Sequence, residues 1–170
     1  MAYPIVTTPY GFQPINSVDG KPYAGAIRQY PITAAYGTAI YNGDIVKLVA
    51  GGTIEKSGIT NNVGAAATLG VLVGCQYVNS SGQTVQGQYY PGSSVTSPVA
   101  YVVLDPQAAF KVAVTNSGTT GTVTYVTRSV VGTNAIIAQG SGSATTGDSG
   151  ESVEADTTSS NAVYGVRIID

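Results

Sequence analysis

Residues 70–78 read GVLVGCQYV, a run of apolar and β-branched side chains punctuated by glycine. Such a run is typical of a β-strand. Cys75 lies inside it, and we interpret this residue as a small buried hydrophobe. Because Cys75 is the only cysteine of the chain, an intrachain disulfide is excluded.

Comparable runs, separated by glycine, recur on both sides of this stretch. The candidate strands are 38–41, 45–49, 53–56, 70–78, 99–104, 108–115, 122–131, 135–138 and 163–169. The pair Asn42-Gly43 predicts a hairpin between the first two, because both residues tolerate a positive φ. With no convincing amphipathic helix, the sequence predicts an all-β fold, an antiparallel β-barrel or sandwich of about seven to ten strands.

The first 31 residues differ from the rest, because they hold five of the eight prolines together with several aromatic residues. Proline disfavours helix, so we predict an extended N-terminal arm over residues 1–31, outside a single β domain at 32–170. Aromatic side chains on such an arm favour contact with a neighbouring subunit. The alternative is that the arm wraps its own domain.

Residues 141–160 are rich in Gly, Ser and Thr and contain the acids Asp148, Glu151, Glu154 and Asp156. This composition predicts a solvated loop that is too polar to contribute to a core. A calcium site is the alternative, although the spacing of the acids matches no calcium-binding repeat. We therefore expect no bound metal.

Only 9% of the 170 residues are charged, compared with about 25% in an ordinary soluble domain, and histidine is absent. Nucleophiles that need an imidazole base, and zinc sites built from clustered His or Cys, are excluded. We expect a protein that is not an enzyme and uses no cofactor. Without histidine, a pH response between about 5 and 8 requires a strongly shifted carboxylate or the α-amino group.

The seven Lys and Arg residues are scattered from Lys21 to Arg167, so we expect no nucleic-acid partner. The longest apolar run, roughly residues 65–75, is shorter than the ~20 residues that cross a bilayer, so we expect no membrane partner. The opening MAYPIVTTPYGF lacks the pattern of a signal peptide, which predicts synthesis in the cytoplasm.

Several phrases resemble one protein family. They are PYGFQPI at 9–15, DGKPYAG at 19–25, GDIVKL at 43–48, LGVLVG at 69–74 and LDPQAAFKV at 104–112. In this order they are similar to the capsid cement or head decoration proteins of tailed bacteriophages. The likeness extends over most of the first 112 residues and offers no landmark in residues 141–160.

The resemblance implies a non-enzymatic virion protein on the outer capsid surface, a homotrimer that clamps neighbouring major capsid proteins. The positions implied to contact capsid protein or a neighbouring protomer are Pro9, Tyr10, Gly11, Phe12, Pro14, Asp19, Gly20, Pro22 and Tyr23. Two alternatives stay open: a tail or fibre component of a virion, and a carbohydrate-binding β module that uses some of the twelve tyrosines.

Overall fold

The apolar run at residues 70–78 lies within the longest strand of the fold. The computed structural model describes residues 8–22, 25–58, 68–116, 122–160 and 164–170. Within them the strands are β1 (Gln13–Ser17), β2 (Ile27–Pro31), β3 (Ile45–Leu48), β4 (Ile54–Lys56), β5 (Thr68–Val78), β6 (Thr84–Gly87), β7 (Thr96–Val103), β8 (Ala108–Lys111), β9 (Val114–Thr115), β10 (Asn134–Ala135), β11 (Ile137–Ala138), β12 (Ser152–Glu154) and β13 (Val166–Arg167).

The prediction of an all-β fold is confirmed. The described residues contain no α-helix, only a 3₁₀ turn at Arg128–Val130. No helix in this part of the chain is long and apolar enough to cross a membrane.

A six-stranded sheet organises the fold. Its order is β2-β7-β5-β3-β4, and β6 pairs with the second half of β5. All of its strand pairs are antiparallel. One parallel bridge between Ile32 and Ile54 joins its two edges, but within the described residues no ladder closes it into a barrel.

Strands β3 and β5 are buried on both faces, because successive side chains of a strand point to opposite sides. Val46 and Leu72 belong to one core, whereas their neighbours Ile45 and Val71 belong to another. The buried members of the first core are Ile32, Ile40, Val46, Ile54, Leu72, Cys75, Tyr90, Ala100 and Val102. Those of the second are Phe12, Ile45, Val71, Ala135, Ile137 and Val153.

Smaller sheets enclose the second core. Strand β1 pairs with β8, β10 pairs with β13, and β12 lies between β11 and β9. The pairing of β12 with β9 is parallel, with Val153 opposite Val114. Two cores separated by a shared pair of strands are compatible with a sandwich-like arrangement.

Several strand predictions need correction. The predicted strand at 122–131 contributes one isolated bridge, at Val123, before the 3₁₀ turn. Asn42-Gly43 forms a turn, with the Asp44 amide donating to the Tyr41 carbonyl at 3.0 Å, but its flanking segments do not pair with each other. Ile40 instead bridges Tyr90. The predicted turn is therefore confirmed and the predicted pairing is wrong, because Tyr90, a residue distant in sequence and outside the strands, is the partner of Ile40.

The structure also corrects the expectation of two segments lying outside the body. In the described part of residues 1–31, β1 pairs with β8 and β2 pairs with β7, so these strands are extended as predicted but lie on their own chain. In residues 141–160, β12 is wholly buried. The interpretation of Cys75 as a buried side chain is confirmed, and burial raises the pKa of its thiol to about 12.

The role of β5 predicts a clear difference between two leucines. Leu72 is fully buried in the first core, so Leu72→Ala should lower the free energy of unfolding by about 2–5 kcal/mol. The matched control Leu48→Ala, at a residue 45% exposed on β3, should change it by about 0.5 kcal/mol or less. Urea denaturation measures both; equal losses would contradict the arrangement.

Candidate functional site

The phrase PYGF at residues 9–12 enters the protein instead of reaching away from it. Phe12 is 3% exposed and lies edge-on to Phe110, with ring centroids 6.3 Å apart. Its backbone amide donates to the Gly43 carbonyl at 3.0 Å, and the amide of Gly11 donates to the Glu151 carbonyl at 3.2 Å. Gly11 and Phe12 are thus internal contacts of the chain, and burial leaves their side-chain positions no free surface for a partner.

Gly11 occupies a position that demands glycine. Its φ is +75°, and a Cβ built there would lie 2.5 Å from the Cβ of Ser149 and 2.8 Å from the Gly43 carbonyl oxygen. Any larger residue would therefore push the N-terminal segment away from both neighbours.

Beneath this contact lies a buried polar cluster, formed by Asp44, Lys56, Ser149 and Glu151. Asp44 is fully buried, and its Oδ2 accepts a hydrogen bond from the Tyr41 amide at 2.7 Å. Its Oδ1 accepts one from the Ser149 hydroxyl at 2.5 Å and one from Lys56 Nζ at 2.9 Å. The carboxylate of Asp44 thus joins the start of β3, the end of β4 and the 141–160 segment.

Glu151 is the second buried carboxyl of the polar cluster. Its Oε2 accepts a hydrogen bond from the Ile45 amide at 3.0 Å, while its Oε1 lies 4.0 Å from Lys56 Nζ without a hydrogen-bond partner. Burial raises its pKa to about 8, with a further increase from the charge of Asp44; Lys56 and the Ile45 amide oppose both. Glu151 is therefore the strongly shifted carboxylate that a histidine-free chain needs to respond to pH.

These contacts correct the prediction that residues 141–160 form a solvated acidic loop. Glu151 and Glu154 are buried, at 0% and 7% exposed, and Ser149 and Ser152 are buried beside them. Hydrogen bonds hold several of these polar groups, since the Ser152 and Thr115 hydroxyls also bond each other at 3.0 Å, whereas Glu151 Oε1 has no partner. Within the described ranges, no three or more His, Cys, Asp or Glu residues come together as a metal site.

The described residues of the phrase DGKPYAG, 19–22 and 25, are exposed, in contrast to Gly11 and Phe12. Asp19 and Gly20 lie at the tip of a turn in which the Gly20 amide donates to the Ser17 carbonyl at 2.9 Å, and Asn16 bridges Pro22. Lys21 pairs with Asp19 at 2.6 Å, and this hydrogen bond lowers the pKa of the Asp19 carboxyl.

The remaining predicted contact positions divide between these two environments. Pro9, Tyr10 and Pro14 are half-buried, and burial raises the pKa of the Tyr10 hydroxyl. Pro22 is exposed. Tyr23 lies outside the described residues.

The exposed turn adjoins a surface that sequence reasoning missed. The Val18 amide donates to the Gln107 carbonyl at 2.8 Å, and the Leu104 amide donates to the Ala26 carbonyl at 3.4 Å. The connection between β7 and β8 thus lies between the two ends of the DGKPYAG segment. DGKPYAG and the β7–β8 connection, which reads LDPQ at 104–107, are far apart in sequence. Only the pairing of β1 with β8 and of β2 with β7 brings them together.

An open groove of about 470 Å³ follows this junction, which we call the edge groove. It is lined by Ala26, Ile27, Arg28, Leu104, Asp105 and Pro106. Val18 and Ile27, 60% and 46% exposed, present apolar side chains in the same region. The edge groove is thus partly apolar, with one charge of each sign from Arg28 and Asp105.

Comparison with protein-family models, with curated proteins and with solved structures finds no match for this chain.

The close contact at Gly11 predicts that two glycines respond differently to the same substitution. Gly20→Ala places a side chain at φ +82° in open space, so it should cost about 1–2 kcal/mol of unfolding free energy. Gly11→Ala adds the clash with Ser149 and Gly43, and should cost a further 1–3 kcal/mol, roughly. Thermal or urea denaturation measures the difference; equal costs would show that residues 9–12 do not enter the fold.

The raised pKa of Glu151 predicts a direction for the pH dependence of stability. The folded chain holds the proton of Glu151 up to about pH 8, whereas the unfolded chain releases it near 4.5, so the free energy of unfolding decreases as pH rises between these values. Glu151→Gln, which stays neutral, should remove this part of the decrease. Urea denaturation across that range compares the two slopes, and identical slopes would contradict the assignment.

Proposed function

We propose that this chain is a capsid decoration protein of a tailed bacteriophage, a non-enzymatic part of the virion that binds the outer capsid surface through the edge groove. One observation carries the proposal. Val18 and Ala26, the residues on either side of the phrase DGKPYAG, hydrogen-bond to LDPQ at an exposed surface next to a sheet edge, and both phrases are among those that carry the resemblance to that family.

The edge groove has the properties that a protein partner requires. A partner that covers its exposed apolar side chains removes them from water, which makes the free energy of binding more favourable. Strand β2 lies at the edge of the six-stranded sheet, and of the described strands it pairs only with β7. An edge strand offers backbone groups to a second chain, which adds directional hydrogen bonds to the apolar contact.

The buried phrases support the same function in a different way. PYGF, GDIVKL and LGVLVG hold Phe12, Asp44 and Leu72, which are all buried in the body. The resemblance therefore combines residues that build the fold with residues on the proposed binding surface. A protein that clamps capsid subunits needs a rigid body of this kind, because ordering a flexible one on binding would reduce its affinity.

The proposed partner is the major capsid protein, and the proposed assembly is a homotrimer in which each copy presents its edge groove at the capsid surface. Threefold arrangement requires a contact between unlike surfaces that closes after three copies. The low charge of the chain favours attachment that changes little with salt, since few ion pairs are available to be screened.

Substitutions in the groove test this proposal. Ile27→Asp should reduce binding to capsids purified from a mutant of the encoding phage that lacks this protein by about tenfold or more, which corresponds to ~1.4 kcal/mol. The reason is that the partner would have to bury an unpaired carboxylate. Sedimentation with capsids, or occupancy in electron micrographs, measures the effect.

Leu48→Asp is the matched control, because Leu48 is 45% exposed and Ile27 is 46% exposed, while β7 and β5 separate their strands. Both variants are first compared by thermal denaturation, so that binding is measured only on folded protein. Equal loss of binding in both variants would contradict the proposal. Electron micrographs of virions in which the labelled protein is found only on the tail would also contradict it.

A further inference from the structure

The buried polar cluster contains a lysine beside two carboxyls, an arrangement that salt bridging alone does not require. Lys56 Nζ lies 2.9 Å from Asp44 Oδ1 and 4.0 Å from Glu151 Oε1. Both carboxyl groups are fully buried, and the lysine side chain is 13% exposed. An ammonium group paired with one carboxylate has no need of a second carboxyl, and burying that extra group is costly.

We propose that Lys56 and Asp44 become joined by an intramolecular isopeptide bond, with Glu151 transferring the protons. The amine and the carboxyl that would react already lie within hydrogen-bond distance. The fold has brought them there across the β3–β4 hairpin, in which Lys56 pairs with Val46. Holding two reactants in such proximity is the main requirement for a slow condensation to proceed.

The reaction balances without any co-reactant. A proton moves from the Lys56 ammonium to Asp44, and the neutral amine attacks Asp44 Cγ, so that a C–N bond forms. Glu151, in its neutral form, donates its proton to Oδ1 and takes one from the nitrogen. The Cγ–Oδ1 bond then breaks, water leaves, and an amide and a neutral Glu151 remain.

The surroundings favour each of these steps. The Tyr41 amide, 2.7 Å from Oδ2, stabilises the negative charge that develops on this oxygen during the attack. The raised pKa of Glu151 keeps it protonated near neutral pH, as the departure of water requires. When Glu151 is neutral, the opposite charges of Lys56 and Asp44 cancel, and the three side chains carry no net charge. This lowers the cost of transferring protons between them in a buried site.

Glu151 Oε1 provides an independent indication. It is buried and has no hydrogen-bond partner, although its other oxygen accepts from the Ile45 amide. An unsatisfied buried oxygen is costly in a purely structural cluster. The same oxygen lies 4.0 Å from Lys56 Nζ, so a small movement of either side chain would bring it within hydrogen-bond distance of the reacting nitrogen.

Mass spectrometry of the full chain tests the proposal. The intact denatured protein should be lighter than its sequence by one water. Trypsin cleaves after Lys47, between the two reacting residues, so free chains should give residues 29–47 and 48–56 as separate peptides. The bond blocks cleavage after Lys56 and should give one branched product, in which 29–47 is attached to 48–111.

Variants distinguish the loss of water caused by this bond from losses of water that have another cause. Lys56→Arg keeps the charge and should restore the full mass. Glu151→Gln should slow bond formation by about 100-fold or more, leaving the purified chain at full mass. The matched control Lys47→Arg alters the half-buried pair with Glu55, 3.9 Å apart, and should leave the branched product unchanged.

Asp19→Ala provides the last control, because an aspartate followed by glycine can lose water by cyclising on its own backbone. This variant should retain both the lower mass and the branched product. A wild-type chain of full mass after prolonged incubation, or a loss of water that maps to Asp19, would overturn the proposal. The wild-type digest decides the question even where a variant fails to fold.

Discussion

The fold depends on one constraint, the burial of β3 and β5 on both faces. A strand with one covered face needs apolar residues only at alternate positions, whereas Ile45 and Val46, like Val71 and Leu72, are apolar in succession because each pair serves two cores. One core is enclosed by the six-stranded sheet. The other core is covered by elements from the N-terminal segment and from the second half of the chain. Neither half of the chain can therefore form this core without the other half.

The buried polar cluster lies where this constraint is most demanding. Asp44 directly precedes β3, and the segment carrying Ser149 and Glu151 crosses the same point. Gly11 and Phe12 pack against this crossing through backbone hydrogen bonds. The cluster thus holds the N-terminal segment, the central strands and the 141–160 segment together, and it does so with three ionisable side chains in a chain that has few of them.

The sequence predicted the fold class and most of the central strands, because β3, β4, β5 and β7 coincide with apolar, β-branched runs that are local signals. It missed β12, since burial of Ser152 and Glu154 follows from partners that are distant in sequence, such as Thr115. The turn at Asp19-Gly20 was not predicted, although Asp-Gly is a common turn sequence. The edge groove was beyond sequence reasoning, because strand pairing alone brings Ile27 and Pro106 together.

The same N-terminal segment therefore has two roles in this account. Residues 9–12 complete the body, and residues 15–22 and 25–27 present apolar and turn residues on its surface. The most direct measurement is hydrogen exchange of backbone amides in the native protein. Phe12, bonded to Gly43, and Ile45, bonded to Glu151, should exchange as slowly as the amides of β5, while Asp19 at the exposed turn exchanges fast. Rapid exchange at Phe12 would show that the segment is not part of the fold and would contradict the account.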